Sequence, residues 1–323
     1  MSFSVRTAAA GLALAAGLGG LLQAGPAQAA AKISLIDVGA GPAALAFDGQ
    51  RDSLQVSVVG DNAVDRVALA SGKVTGTAKV GGYPFGVAVD PGLDLAYATS
   101  LERGTVTAFS ETTGHQAWTT RTGARPYGVA ADPTRHQVFV ANEVSGTVSV
   151  LSGKTGKVAA TIRVGSFPYA VAVDPAAGRA YVANEGSGTV SVVSEATDKV
   201  IKTLHVGPQP EGVAVDTKTR RVLVASELSG TVSLINGATN KVLTTFFVGD
   251  EPEGVAADPS RGLFYVANFA DNAVAVLKAS TGAVTATVPV GTAPDALAVN
   301  SHTGQVYVAN FFDNTVQVLP AGG

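Results

Sequence analysis

The sequence predicts an all-β fold made of one four-stranded unit repeated seven times, and three observations predict it. Prolines stand at positions 42, 84, 126, 168, 210, 252 and 294, a spacing of 42 residues without insertion or deletion. Short valine-rich runs bounded by Gly, Pro, Asp or Asn fill each interval, which is strand chemistry punctuated by turns. Each interval holds four such runs, and nothing beyond the first thirty residues has a helical period. Four strands in about 42 residues make a propeller blade, so the chain reads as a seven-bladed β-propeller of four-stranded antiparallel blades.

The fourth unit shows the elements in order. Ala170-Val-Ala-Val-Asp174 is the innermost strand, its small residues suiting the crowding of blades around the axis. Tyr181-Val-Ala-Asn184, Thr189-Val-Ser-Val192 and Lys199-Val-Ile-Lys-Thr203 follow as strands two, three and four. Valine and alanine recur on both faces because each blade is packed between two others. The glycines ahead of the prolines (39, 81, 123, 165, 207, 249 and 291) are expected to turn the chain tightly between blades. Asp48, Asp90, Asp132, Asp174, Asp216 and Asp258, with Asn300 in the last unit, read as hairpin residues that accept local N–H groups. They are not read as a metal-binding ring.

The seventh unit contains three runs after Pro294: Leu297 to Asn300, Val306 to Asn310 and Thr315 to Leu319. The missing fourth lies at the other end, where Lys32 to Val38 aligns with Val74 to Val80. The N-terminal strand is therefore expected to complete the last blade and close the ring.

Residues 1–29 have the pattern of a signal peptide: Arg6, an apolar run from Ala8 to Leu22, and the small-x-small cleavage pattern Ala27-Gln28-Ala29. The apolar run is shorter than the roughly 20 residues a membrane helix needs. The expected mature protein is residues 30–323, exported to the periplasm, cell envelope or medium, monomeric and not inserted in the membrane. The absence of cysteine excludes disulfides, thiolate metal sites and cysteine nucleophiles. A net charge of −3, with 15% charged residues and no basic run, speaks against nucleic acid or an anionic membrane as partner.

Tyr181-Val-Ala-Asn184, Tyr265-Val-Ala-Asn268 and Tyr307-Val-Ala-Asn310, with Phe139-Val-Ala-Asn142, resemble the YVTN β-propeller repeat. The neighbouring Pro-x-Gly-Val-Ala-Val-Asp and Thr-Val-Ser-Val segments are similar to the rest of that repeat. The first unit departs most, with Gln55-Val-Ser-Val58 at the motif position. That family includes YncE-like periplasmic proteins and repeat domains of archaeal surface-layer proteins. The resemblance implies a seven-bladed propeller of the wider WD40-like kind in an extracytoplasmic setting, and no single reaction.

Strand order places the proline crossings and the loops after Tyr-Val-Ala-Asn on one face, around one mouth of the central channel. The residues flanking the prolines vary while the framework repeats. Units two to four supply Tyr83, Phe85, Arg125, Tyr127, Phe167 and Tyr169, and units five to seven supply Glu211, Glu251, Glu253 and Asp295. Aromatic rings beside carboxylates suit a basic or amphipathic ligand, so these ten residues form the candidate ligand site. The alternative is that the rings pack against neighbouring blades and the glutamates are solvated. The following loops add Glu143, Glu185 and Glu227, then Phe269 and Phe311.

Catalytic signatures are weaker. His115, His136 and His302 are expected on the opposite face and His205 on an outermost strand, which leaves no histidine base or metal cluster at the mouth. This counts against chemistry of the streptogramin-lyase kind. Trp118 lies in a segment resembling the tryptophan-docking motif of quinoprotein propellers, but it is the sole tryptophan and reads as a packed strand residue. Gly39-x-Gly41 precedes a strand rather than a helix and is not expected to bind phosphate. No metal or cofactor is expected. The favoured function is a non-catalytic binding protein for a small molecule, peptide or cell-surface partner. The alternative is a lactonase-like hydrolase using Glu211 and Glu253, and DNA binding, raised by the YncE resemblance, is disfavoured by charge.

Overall fold

The computed structural model describes residues 34–322. The expected signal peptide and its cleavage point, and Lys32 and Ile33 of the expected first strand, lie outside the described residues. The described chain forms seven antiparallel sheets of four strands. Six of them follow chain order outward from the axis, as in Pro168–Asp174, Arg179–Asn184, Thr189–Ser194 and Lys199–His205. The seventh is assembled from both ends: Ser34–Asp37 pairs antiparallel with Thr315–Leu319, from Ser34 opposite Val318 to Asp37 opposite Thr315. Val306–Asn310 and Pro294–Val299 complete it, so the expected closure is present.

The apolar runs bury where neighbouring blades meet. Tyr181, Val190, Val192 and Leu204 of blade four pack with Val213, Val222, Val224 and Ile235 of blade five. At the closure, Ile36, Tyr307 and Val316 of the last blade pack with Leu54, Val56 and Val58 of the first. The core is thus seven layers between blades, which explains why these strands are apolar on both faces.

The expected glycines have positive φ in three crossings, at Gly81, Gly207 and Gly249, whereas a second position is tight in all seven. The residue immediately before each proline is left-handed, with φ between +49° and +62° at Gly41, Tyr83, Arg125, Phe167, Gln209, Glu251 and Ala293. In every blade the carbonyl of that residue accepts a hydrogen bond from the loop beyond the second strand, as in Glu143 N to Arg125 O at 2.9 Å and Phe269 N to Glu251 O at 2.8 Å. This bond compensates a conformation that non-glycine residues otherwise avoid. The glycine two residues earlier also serves close approach. A Cβ on Gly123 would lie 2.7 Å from Asn142 Cβ, and Gly123 N donates to Asn142 Oδ1 at 2.9 Å. Asn184 accepts from Gly165 N in the same way at 3.1 Å. In blades three and four the asparagine of the repeat therefore ties the second strand to the crossing that enters its own blade.

The hairpin aspartates cap as expected: Asp132 Oδ1 accepts from Thr134 N at 2.7 Å and Asp48 Oδ1 from Gln50 N at 2.7 Å. Three of them also hold an arginine three residues on, Arg51, Arg135 and Arg261, at 2.9, 2.8 and 3.1 Å. Each of these arginines reaches a carbonyl of the next blade, Pro91, Pro175 and Ser301 respectively. On that face too, His136 Nδ1 meets Asp90 at 2.7 Å.

Candidate functional site

The innermost strands run from the proline face to the aspartate face and are kept close around the axis by small residues. A Cβ on Gly212 would fall 1.9 Å from the carbonyl oxygen of Glu253, so only glycine lets these two innermost strands approach. A register irregularity just after the proline, as between Pro126 and Val129, accompanies the crowding. The side chain directly after each proline then turns into the channel.

Those side chains line a cavity of about 200 Å³ on the axis. Phe85, Tyr127 and Tyr169 form one arc, and Glu211, Glu253 and Asp295 the other, with Ala43 between them. The aromatic arc is closely packed: ring centroids are 4.1 Å apart for Phe85 and Tyr127 and 4.0 Å for Tyr127 and Tyr169, with the planes tilted by 45° and 34°. Phe85 also meets Tyr169 edge-on at 6.0 Å. Burial pushes both tyrosine hydroxyls well above their ordinary pKa, and they are hydrogen-bonded to each other.

The acidic arc is organised in pairs. Glu211 is buried and hydrogen-bonded to Glu227, itself buried in the loop after the second strand of the same blade. Burial first, and the Glu227 contact next, raise the Glu211 carboxyl far above the usual carboxylate range. Asp295 is raised by burial, and its hydrogen bond with Glu253 partly opposes that rise. Carboxyls in contact inside a poorly solvated channel share protons rather than ionise together.

The other four candidate residues do not line the cavity. Tyr83, Arg125, Phe167 and Glu251 all occupy the left-handed position before proline, and on the aromatic arc they lie toward solvent. Tyr83 and Phe167 are 39% and 48% exposed, and Arg125 Nε pairs with Glu143 at 3.1 Å. The ten residues thus divide into six at the channel and four on its rim. The role of Glu227 as partner to Glu211 was not evident from the sequence. Its position after the second strand, shared with Glu143 and Glu185, was the available signal.

The remaining sequence motifs lie where they were placed. His136 and His302 sit in or beside the hairpins of the opposite face, and His205 ends an outermost strand. Trp118 packs on Tyr97 with centroids 5.8 Å apart, and its Nε1 donates to Gly153 O at 3.0 Å. Among the described residues no group of three or more His, Cys, Asp or Glu is arranged to hold a metal ion.

Comparison with known families places this architecture. The Choice-of-anchor I domain family matches residues 86–301, more than half of the chain, covering blades two to six and the innermost strand of blade seven. The chain belongs to the Choice-of-anchor I domain family. Hydrazine synthase from Kuenenia stuttgartiensis is similar in structure, with a TM-score of 0.78 over 92% of this chain and 99% of that one. At 19% identity this likeness concerns the fold alone. No curated protein matches the sequence significantly. In this Choice-of-anchor I domain the match begins at Gly86, beside Phe85, and spans the five other channel-lining candidates.

Proposed function

We propose that the protein is an exported, non-catalytic propeller of the YVTN type that binds a ligand at the channel mouth. The observation that carries this reading is the polarised cavity, with three closely packed aromatic rings facing three carboxyl groups. Such a lining offers one ligand an apolar aromatic surface and carboxyl groups that ionise when a cation is bound beside them, which favours a positively charged or amphipathic group. Export is supported by the signal-like residues 1–29 and by a family whose name concerns anchoring. Neither a cofactor nor a nucleic acid is part of this reading, and the protein acts as a monomer.

Thermal-shift measurements over a panel of amines, amino acids and short peptides test it. Tyr127→Ala and Tyr169→Ala should abolish the shifts that the unaltered protein gives with cationic members of the panel. Responses unchanged in both variants would remove the mouth as the binding site. The hydrolase alternative has its own support in the hydrogen-bonded Glu253–Asp295 pair, an arrangement able to act as acid and base. Lactone turnover lost in Glu211→Ala or Glu253→Ala would favour it.

A further inference from the structure

Large apolar side chains that remain exposed are unevenly distributed over the described residues. Eight of them lie on outermost strands, among them Ile201, Leu243 and Phe247. The other five are Tyr83, Val144, Phe167, Leu228 and Phe312, and all belong to the crossings or loops of the proline face. The hairpins of the aspartate face carry none. Val144, Phe312 and Leu228 are 53%, 55% and 69% exposed, so these loops present apolar surface to solvent instead of folding it inward. The rim and the acidic, aromatic cavity it surrounds therefore form one surface with two chemistries.

A small free amine would use the cavity and leave the rim uncovered. The cavity, at about 200 Å³, has room for a side chain or a fragment of that size and little more. Charge complementarity selects a cation at the centre, and burial selects apolar groups around it. A single occupant meets both demands when a basic side chain projects from a backbone that also carries apolar residues.

Resting on the ligand site proposed above, we infer that its occupant is a polypeptide segment with one lysine or arginine side chain entering the channel between the aromatic and acidic arcs. Apolar residues on either side of that basic residue settle on Tyr83, Phe167, Leu228 and Phe312. The aliphatic stem of the basic side chain lies along the Tyr127 and Tyr169 rings, and its charged end faces Glu253 and Asp295. The rim sets which segments bind, and the channel sets the requirement for positive charge.

Selection from a phage-displayed library of random linear decapeptides, followed by titration of the enriched peptides and of n-butylammonium, tests this inference. Enriched sequences should share one basic residue flanked by apolar ones, and replacing that residue with glutamine should weaken binding at least tenfold. The rim variant Leu228→Ser/Phe312→Ser, altered only at exposed positions, should weaken the peptides at least tenfold. It should leave the saturation-transfer signal of n-butylammonium unchanged. Glu253→Gln/Asp295→Asn should weaken both probes. Enriched peptides without a basic residue, or indifferent to the rim variant, would overturn the polypeptide reading. So would n-butylammonium binding with no peptide enriched, an outcome that leaves the ligand site itself standing. If neither probe binds, the ligand site falls as well.

Discussion

Glu111 and Glu195 stand two repeats apart at one position of the unit, filled by apolar residues or glycine in the others, and show how such residues come to report on pH. Each lies in the hairpin before a fourth strand, with its side chain 0% and 1% exposed, against the Asp–Arg pair of the preceding blade. Arg51 Nη1 is 3.7 Å from Glu111 and Arg135 Nη1 is 3.3 Å from Glu195. Burial first, reinforced by the neighbouring Asp48 and Asp132, pushes both carboxyls up to about 8. Asp132, although burial acts on it too, is held below its ordinary value by its hydrogen bonds from Arg135, Glu195 and the backbone. The native protein therefore keeps a proton on each glutamate that the unfolded chain releases near pH 4.5. Stability from these groups is complete below that value and is lost as pH rises through about 8. Glu111→Gln/Glu195→Gln keeps the shape and a hydrogen-bond donor while removing the ionisation. It should flatten the pH dependence between about 5 and about 9 and stabilise the alkaline end by about 2 kcal/mol per site. Urea midpoints at both ends check this, and parallel profiles for the two proteins would contradict it.

Ser34–Asp37 has the fewest residues of any strand among the described residues and is the one on which the closure depends. Only Ile36 of its four residues is buried, at 2% exposure, and it packs between the last blade and the first. Leu35, next to it, is 60% exposed. The two positions separate packing from mere strand character. Ile36→Ala should cost about 2–4 kcal/mol by leaving a cavity at the seam, while Leu35→Ala should change stability by less than about 0.5 kcal/mol. Removing residues 31–38 should have a larger effect, because it strips the partner from Thr315–Leu319 and bares an edge strand. Denaturant titration with size-exclusion chromatography reads both effects. A deletion protein that stays monomeric and unfolds normally would contradict the role of this strand. The closure was legible in the sequence because Lys32 to Val38 aligns with Val74 to Val80 one unit later. The direction of the rim side chains was not. Proline normally keeps the preceding residue extended, and here a loop N–H holds it left-handed, turning Tyr83 and Phe167 out of the channel.

Over the whole molecule, strict periodicity made the blade number, strand order and channel-facing position readable, since each property recurs seven times. Features that break the symmetry were hidden. The arginine that follows the hairpin aspartate occurs in blades one, three and six only, and the Glu211–Glu227 contact depends on a loop that differs among blades. The ring also has one joint unlike any other, because blade seven alone is shared between the two ends of the described chain, its outermost strand being held to Thr315–Leu319 by backbone hydrogen bonds instead of a hairpin. All seven boundaries between blades rest on side-chain packing plus a covalent crossing, residues 38–41 joining the last blade to the first. Opening the chain elsewhere therefore tests what the shared blade contributes. In a circular permutant, residue 323 is joined to residue 34, giving a four-residue turn after Leu319 of the same length as that between Ser194 and Lys199. New ends are placed in the crossing between Arg121 and Pro126. Every blade is then made of continuous chain, and the new seam has packing without a shared sheet. The permutant should fold to the same far-ultraviolet circular dichroism but melt several degrees lower and less cooperatively. Equal melting by calorimetry would mean that packing between blades closes the ring unaided.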